Sequence, residues 1–237
     1  MNVKDENRTG SILLKMNFPA PFIKQNKIDD LLDSKKAADY PFIEWLETFF
    51  KVKRDGFDRK LLERFVEINN EQTFMSIFPI VHTNKFENLE NALSDSCRCY
   101  CLSLDTASIA LSGVAAEAMT QMIWEISKMT IKGKPIDKSK EKAIFGKEFD
   151  SPYLSQYRRL QILRACEFVS EEQFQKLDYI REKRNEVVHF DKKSSSEADK
   201  ESALQCFHKT MSLFKEITNI QFDGQNIKSI NQYFLTD

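Results

Sequence analysis

Apolar side chains recur at spacings of three and four over much of this chain, which is the pattern of amphipathic α-helices. Between about Asp29 and Phe78 the pattern predicts two helices, separated near Gly56. Their apolar positions are Phe42, Trp45, Leu46, Phe49 and Phe50, and then Leu61, Leu62, Phe65 and Ile68. No polar constellation interrupts these side chains, so we interpret them as core packing. Ahead of them, the apolar run at residues 12–14 fits either a strand or an extended arm.

A break at residues 79–84 is followed by the pattern of a helical bundle. A long helix comes first, and its stripe of small and apolar residues permits close approach of a neighbouring helix. The members of this stripe are Ser108, Ile109, Ser112, Ala115, Ala116, Met119, Met122, Ile123 and Ile126. Further helix starts are indicated by Ser151-Pro152, by the capping-box spacing of Ser170 and Gln173, and by residues 194–197.

These elements predict an all-α protein with a bundle of four or five helices over residues 85–220. Residues 1–84 form a mostly helical N-terminal extension with no assigned role, and residues 221–237 are a C-terminal tail. Hydrophobic residues at 41% and charged residues at 30% are ordinary for a globular chain. No apolar run is long enough to span a bilayer, and the first residues are polar where a signal peptide would be apolar. We therefore expect a cytoplasmic protein with no membrane contact.

The cysteine pattern favours reduced thiols over a disulfide framework. The chain has five cysteines, an odd number, and three of them crowd at Cys97, Cys99 and Cys101. A zinc site would need a second pair of ligands, and the sequence offers no CxxC or HxxxH pattern to supply it. We therefore interpret the cysteines as packing residues, and we predict no metal ion and no cofactor.

The charge balance limits the kind of nucleic-acid contact that is expected. The net charge is −1, whereas general nucleic-acid binders usually carry a basic excess that displaces counterions from many phosphates. Any RNA contact should therefore be local. Basic groups do cluster in a lysine-rich linker at residues 128–147, which is typical of a solvated loop, and at Arg158 and Arg159.

The segment with the most specific chemistry is the helix predicted at residues 171–190. Its apolar stripe consists of Leu177, Ile180, Val187 and Val188. A rotation of about 100° per residue places Arg184 near the centre of that stripe. A guanidinium there needs a paired carboxylate, hydrogen bonds or a water-filled cleft, which indicates a specific partner or an anion.

Two further polar side chains lie on the flank of this stripe. Asn185 and His189 are four positions apart and share one face of the helix, beside Arg181. Arg184 and His189 are splayed by about 140° on an ideal helix, so a long arginine or a second subunit must close the gap. A cation, an amide and an imidazole at one end of a bundle are able to face a phosphodiester.

The motif Arg184-Asn185-x-x-x-His189 resembles the signature of HEPN domains, in which an arginine and a polar residue precede a histidine near the end of a late bundle helix. The resemblance covers roughly residues 95–220, and the long helix that contains residues 113–117 is similar to an early helix of that family. It implies a metal-independent endoribonuclease whose motif helices meet across a homodimer. The family commonly supplies toxins and antiviral effectors, which implies an antitoxin or a defence-system protein as a further partner.

The resemblance also implies a role for each residue of the motif. His189 transfers protons at a ribose 2′-hydroxyl, Arg184 neutralises the phosphate, and Asn185 orients the phosphate or the histidine. Glu117 anchors Arg184 from the facing helix, and attack by the 2′-hydroxyl leaves a 2′,3′-cyclic phosphate. The predicted site is completed by Arg181 as a supporting residue and by the RNA-binding candidates Arg158, Arg159, Lys192 and Lys193.

Two features limit what the resemblance implies, the first about regulation and the second about activity. Asp191 stands two positions after the histidine, where HEPN toxins silenced by a nucleotidyltransferase partner have a tyrosine, so the sequence does not support that modification route. The near-zero net charge also fits a non-catalytic HEPN-like module that binds RNA or a partner protein, with Arg184 paired to Glu117 as a structural cation. This second interpretation stays open at the level of the sequence.

Overall fold

The computed structural model describes residues 28–33, 43–69, 84–127, 130–131, 134–135, 143, 155–188, 200–218, 221–223 and 226–229. Eight α-helices lie within these ranges, and they confirm the predicted all-α fold. They are α1 (Ile28–Leu32), α2 (Ile43–Phe50), α3 (Arg59–Asn69), α4 (Asn84–Cys101), α5 (Asp105–Ser127), α6 (Gln156–Ala165), α7 (Glu171–Val188) and α8 (Lys200–Thr218). Within the described ranges, no helix combines the length and the apolar character needed to cross a membrane.

Two short antiparallel strand pairs accompany the helices, and the hydrophobic pattern did not predict them. The first pairs β1 (Thr130–Ile131) with β2 (Lys134–Pro135), after α5. The second pairs β3 (Gln221–Asp223) with β4 (Asn226–Ser229), in the segment assigned to a C-terminal tail. The buried apolar side chains of the described core lie in or next to helices, so the helices build the core.

Two of the bundle helices begin directly after a serine whose side chain caps the first turn. The Ser170 hydroxyl accepts from the Gln173 amide at 3.1 Å, and Gln173 Oε1 accepts from the Ser170 amide at 3.0 Å, which confirms the predicted capping box. Helix α6 begins at Gln156 and is capped by Ser155, whose hydroxyl accepts from the Arg158 amide at 3.4 Å. The prediction that this helix opens at residues 151–152 is therefore wrong, because Ser155 still has extended backbone. The start predicted at residues 194–197 lies outside the described residues.

Helices α4 and α5 pack through buried small side chains, as the stripe of small and apolar residues on α5 predicted. The hydroxyls of Ser96 and Ser108 each donate to the other residue's backbone carbonyl at 2.9 Å. Ser96 Oγ also lies 2.8 Å from Ser112 Oγ. All three side chains are fully buried, and their hydrogen bonds offset the cost of removing the hydroxyls from water. Because these side chains are small, the two helix backbones come close together.

Three cysteines take part in this core. Cys97, Cys101 and Cys206 are buried and free of disulfides. Burial raises the pKa of the Cys97 thiol, and a protonated thiol is a poor ligand for a metal ion. Across the described parts of the chain, no group of three or more His, Cys, Asp or Glu side chains is placed to hold a metal ion.

The N-terminal helices share a core with the bundle. One buried cluster includes residues from α1 through α8. The ring of Phe50 packs edge to face against Phe49 and Phe65, with centroids 5.0 and 5.5 Å away. Arg98 of α4 lies over the Phe49 ring, 5.1 Å from its centroid, and donates to the Phe49 carbonyl. The division predicted at residue 84 therefore separates two stretches of sequence that are joined through one core.

A buried ion pair fixes α3 to the start of α5. Arg64 is 5% exposed, its Nη2 donates to Asp105 Oδ2 at 3.1 Å, and its Nη1 donates to the Tyr100 carbonyl at 2.8 Å. The Tyr100 hydroxyl donates to Glu67 at 2.7 Å, and Lys200 of α8 pairs with the same carboxylate at 2.7 Å. Four helices are therefore linked around Tyr100.

We expect Asp105→Asn to lower the free energy of unfolding by about 2 kcal/mol, because the Arg64 guanidinium then lies buried without its charge partner. Asp29→Asn is the matched control, since Asp29 pairs with Arg59 where both side chains are more than half exposed. Such surface pairs contribute about 0–1 kcal/mol. Urea denaturation followed by circular dichroism measures both losses, and equal small losses would refute a structural role for the Arg64 pair.

Candidate functional site

Helix α7 carries Arg181, Arg184 and Asn185 of the predicted site. Its middle buries Leu177 and Ile180 completely, as the predicted stripe requires. In the last turn the stripe holds only in part, because Val187 packs against the core while Val188 is 43% exposed. The predicted apolar surrounding of Arg184 is therefore confirmed at Val187 and wrong at Val188, which meets solvent.

Arg184 is fixed by its stem while its side chain stays partly exposed. The side chain is 31% exposed, so it is not an enclosed cation. The stem lies directly on the backbone of α5 at Gly113, where an added Cβ would stand 2.6 Å from Arg184 Cβ and even closer to its Cγ. Real Cβ atoms essentially never come within 3.0 Å of a non-bonded heavy atom on a neighbouring element. Glycine at 113 is thus the residue that lets α7 approach α5 here.

Glu117 lies one helical turn after Gly113, on the same side of α5. Its Oε2 is 3.6 Å from Arg184 Nη2, and its side chain is 44% exposed. The distance exceeds that of an ordinary N–H···O hydrogen bond, about 2.7–3.2 Å. An exposed pair of this kind contributes about 0–1 kcal/mol. The structure therefore brings Glu117 and Arg184 together but leaves the guanidinium open to a second anion.

Arg181 is occupied by other groups. Its Nε donates to Asp178 at 2.7 Å, and its Nη2 is 3.4 Å from Glu182. Its guanidinium carbon lies 4.7 Å from the centroid of the Tyr157 ring, on the facing helix α6. Two carboxylates neutralise this arginine locally, so it positions Tyr157 better than it could bind a phosphate.

The remaining site residues divide between the described and the undescribed parts of the chain. Asn185 is partly buried next to Arg184. Arg158 is exposed and Arg159 is partly buried in the first turn of α6. His189 follows directly after the last described residue of α7, and it lies outside the described residues together with Lys192 and Lys193. The Arg184–His189 relation therefore stays a prediction.

Two residues at this site were missed by sequence reasoning. Gly113 carried a signal, since an isolated glycine inside a helix costs about 1 kcal/mol relative to alanine and often has a packing reason. Tyr157 carried none, because its contact with Arg181 joins two helices that are distant in the sequence.

Comparisons with models of protein families, with curated proteins and with solved structures found no match for this chain.

Proposed function

We propose that this chain is a metal-independent endoribonuclease of the HEPN type that works as a homodimer. The observation that supports it best is the placement of Arg184. Its stem is held on Gly113, its side chain is 31% exposed, and its 3.6 Å contact with Glu117 is long. A cation that is held in position and open to solvent is suited to bind the phosphate of a substrate.

In the proposed reaction, His189 removes the proton of a ribose 2′-hydroxyl and the 2′-oxygen attacks the adjacent phosphorus. The P–O5′ bond then breaks and the 5′-oxygen leaves with a proton. The products are a 2′,3′-cyclic phosphate and a 5′-hydroxyl. Arg184 neutralises the negative charge that builds on the phosphoryl oxygens, and Asn185 orients the phosphate or the imidazole.

Two exposed aliphatic side chains support the homodimer. Val114 is 46% exposed and follows Gly113 on α5, and Val188 lies one turn after Arg184 on α7. Exposed aliphatic side chains on two helices that meet at Arg184 favour burial in a protein–protein contact. A contact between two copies at this place would bring both Arg184 side chains to one cleft, which cleavage across a dimer requires.

A ribonuclease of this type acts on cellular RNA, so the proposal includes a cytoplasmic location. We further propose that the protein is a growth-arresting toxin or an antiviral effector. An antitoxin or a defence-system protein would then control its activity.

The proposal is tested by incubating the purified protein with end-labelled RNA in buffer with and without EDTA. We expect cleavage at the same rate in both, because the proposed chemistry uses an imidazole and a guanidinium. The products should carry 2′,3′-cyclic phosphates, which resist phosphatase until acid opens the ring. Cleavage that stops in EDTA, or products with 3′-hydroxyl ends, would contradict the proposal.

A non-catalytic HEPN-like binding module is the second candidate. It is favoured by the carboxylates that accompany the cations of α7. The pairs are Arg181 with Asp178, Lys183 with Glu186, and Arg184 with Glu117. Such local neutralisation weakens attraction to the RNA backbone. Binding of RNA by the wild-type protein without any cleavage would favour this candidate.

A further inference from the structure

Tyr157 is a large aromatic side chain that is held in place at the surface. It lies in the first turn of α6 and is 39% exposed. The Arg181 guanidinium covers one face of its ring at 4.7 Å, and Asp178 in turn fixes Arg181 through a 2.7 Å hydrogen bond. A ring that is fixed in this way loses little conformational freedom when a second flat group stacks on it.

The ring contacts a residue one turn away from the group proposed to bind phosphate. Arg181 and Arg184 are three positions apart on α7, so their Cβ atoms are about 5–6 Å from each other. Because Tyr157 contacts Arg181, its ring lies at the same end of the bundle as the Arg184 guanidinium. A nucleotide next to a phosphate held by Arg184 is therefore able to reach the ring.

The charge of α6 also suits a nucleic acid. The helix has the sequence QYRRLQILRA, with three arginines and no carboxylate. Arg158 and Arg159 directly follow Tyr157, in a first turn where the helix macrodipole disfavours cations. Arg164, near the other end of the helix, pairs with Glu171 at 2.7 Å. Proteins that bind single strands commonly combine an aromatic ring with nearby cations such as Arg158 and Arg159.

We propose that the Tyr157 ring is a stacking platform for a nucleobase, so that the substrate is single-stranded RNA. The inference rests on the proposed function, because it takes Arg184 as the phosphate-binding group. The bases of a duplex stay stacked on each other and do not offer a free face to a side chain. Every base has such a face, so the platform accepts any sequence.

The test measures binding in the His189→Ala background, which prevents cleavage during titration. A fluorescent single-stranded oligoribonucleotide is compared with the same strand in a blunt duplex. We expect Tyr157→Ala to weaken single-strand binding about tenfold, which is the effect of losing one stacked base. Tyr157→Phe, which keeps the ring, should bind like the parent, and duplex binding should be the same in all variants.

A second measurement does not depend on how the variants fold. The protein with intact Tyr157 is titrated with a single strand whose central nucleotides are abasic, and binding should weaken by a similar factor. Equal binding by the alanine and phenylalanine variants, or equal binding of abasic and normal strands, would overturn the stacking platform alone. Absence of RNA binding and cleavage by the wild-type protein would instead overturn the proposed function, and the platform with it.

Discussion

Alanine at His189 or at Arg184 is expected to lower the rate of RNA cleavage by about a thousandfold, since a general base and a transition-state cation each contribute on that order. The rate is measured with end-labelled RNA at saturating concentration in EDTA. Arg184→Lys should recover only part of the rate, because an ammonium group keeps the charge but loses the planar fork that binds two phosphate oxygens.

The Arg184 variant is expected to fold normally. Its side chain is 31% exposed and its contact with Glu117 is 3.6 Å long, so the lost ion pair should cost about 1 kcal/mol or less. Lys183→Ala is the matched control, since Lys183 is the preceding residue on α7 and pairs with Glu186 at 3.0 Å instead. That variant should lose neither stability nor activity.

Either of two results would remove Arg184 from the site. One is full cleavage by the alanine variant. The other is a stability loss of about 3–5 kcal/mol, the size expected when a buried pair is broken, which would identify the arginine as a structural cation. The exposed geometry at Glu117 argues for a small loss.

The helices were predictable because local signals specify them. The Ser170–Gln173 capping box starts α7 where the sequence placed it, and the apolar spacing of α2 and α3 marks their buried faces. The sequence also carried a signal for the strand pair at residues 221–229, since Asp223-Gly224 is a common hairpin dipeptide. Its apolar positions were too few to show a two-residue period.

The site was predictable only as a set of residues on one helix. Periodicity placed Arg184 among apolar neighbours, but it does not show where the core ends, and Val188 turned out to be exposed. The contacts of Arg184 with Gly113 and of Arg181 with Tyr157 join separate helices. Such contacts depend on how the helices cross, which no local pattern in the sequence specifies.

The Gly113 contact gives the largest expected change in stability. Gly113→Ala should lower the free energy of unfolding by about 3 kcal/mol, at the upper end for overpacking. The new methyl group would stand 2.6 Å from Arg184 Cβ, which is bound to the backbone and cannot rotate away. The two helices must therefore separate, and RNA cleavage should fall as Arg184 moves. Urea denaturation measures the stability, and end-labelled RNA measures the activity.

A double-mutant cycle with Arg184→Gly isolates this contact, because glycine removes both Cβ and Cγ of the arginine. In that background, Gly113→Ala should stabilise the protein by about 1 kcal/mol, the ordinary helix preference for alanine. Ala118→Gly on the same helix is the control, and its cost of about 1 kcal/mol should be the same in both backgrounds. If Gly113→Ala changes the free energy of unfolding by the same amount with arginine and with glycine at position 184, then α5 and α7 do not meet at this point. The arginine would then lose the support that makes it a plausible phosphate-binding group.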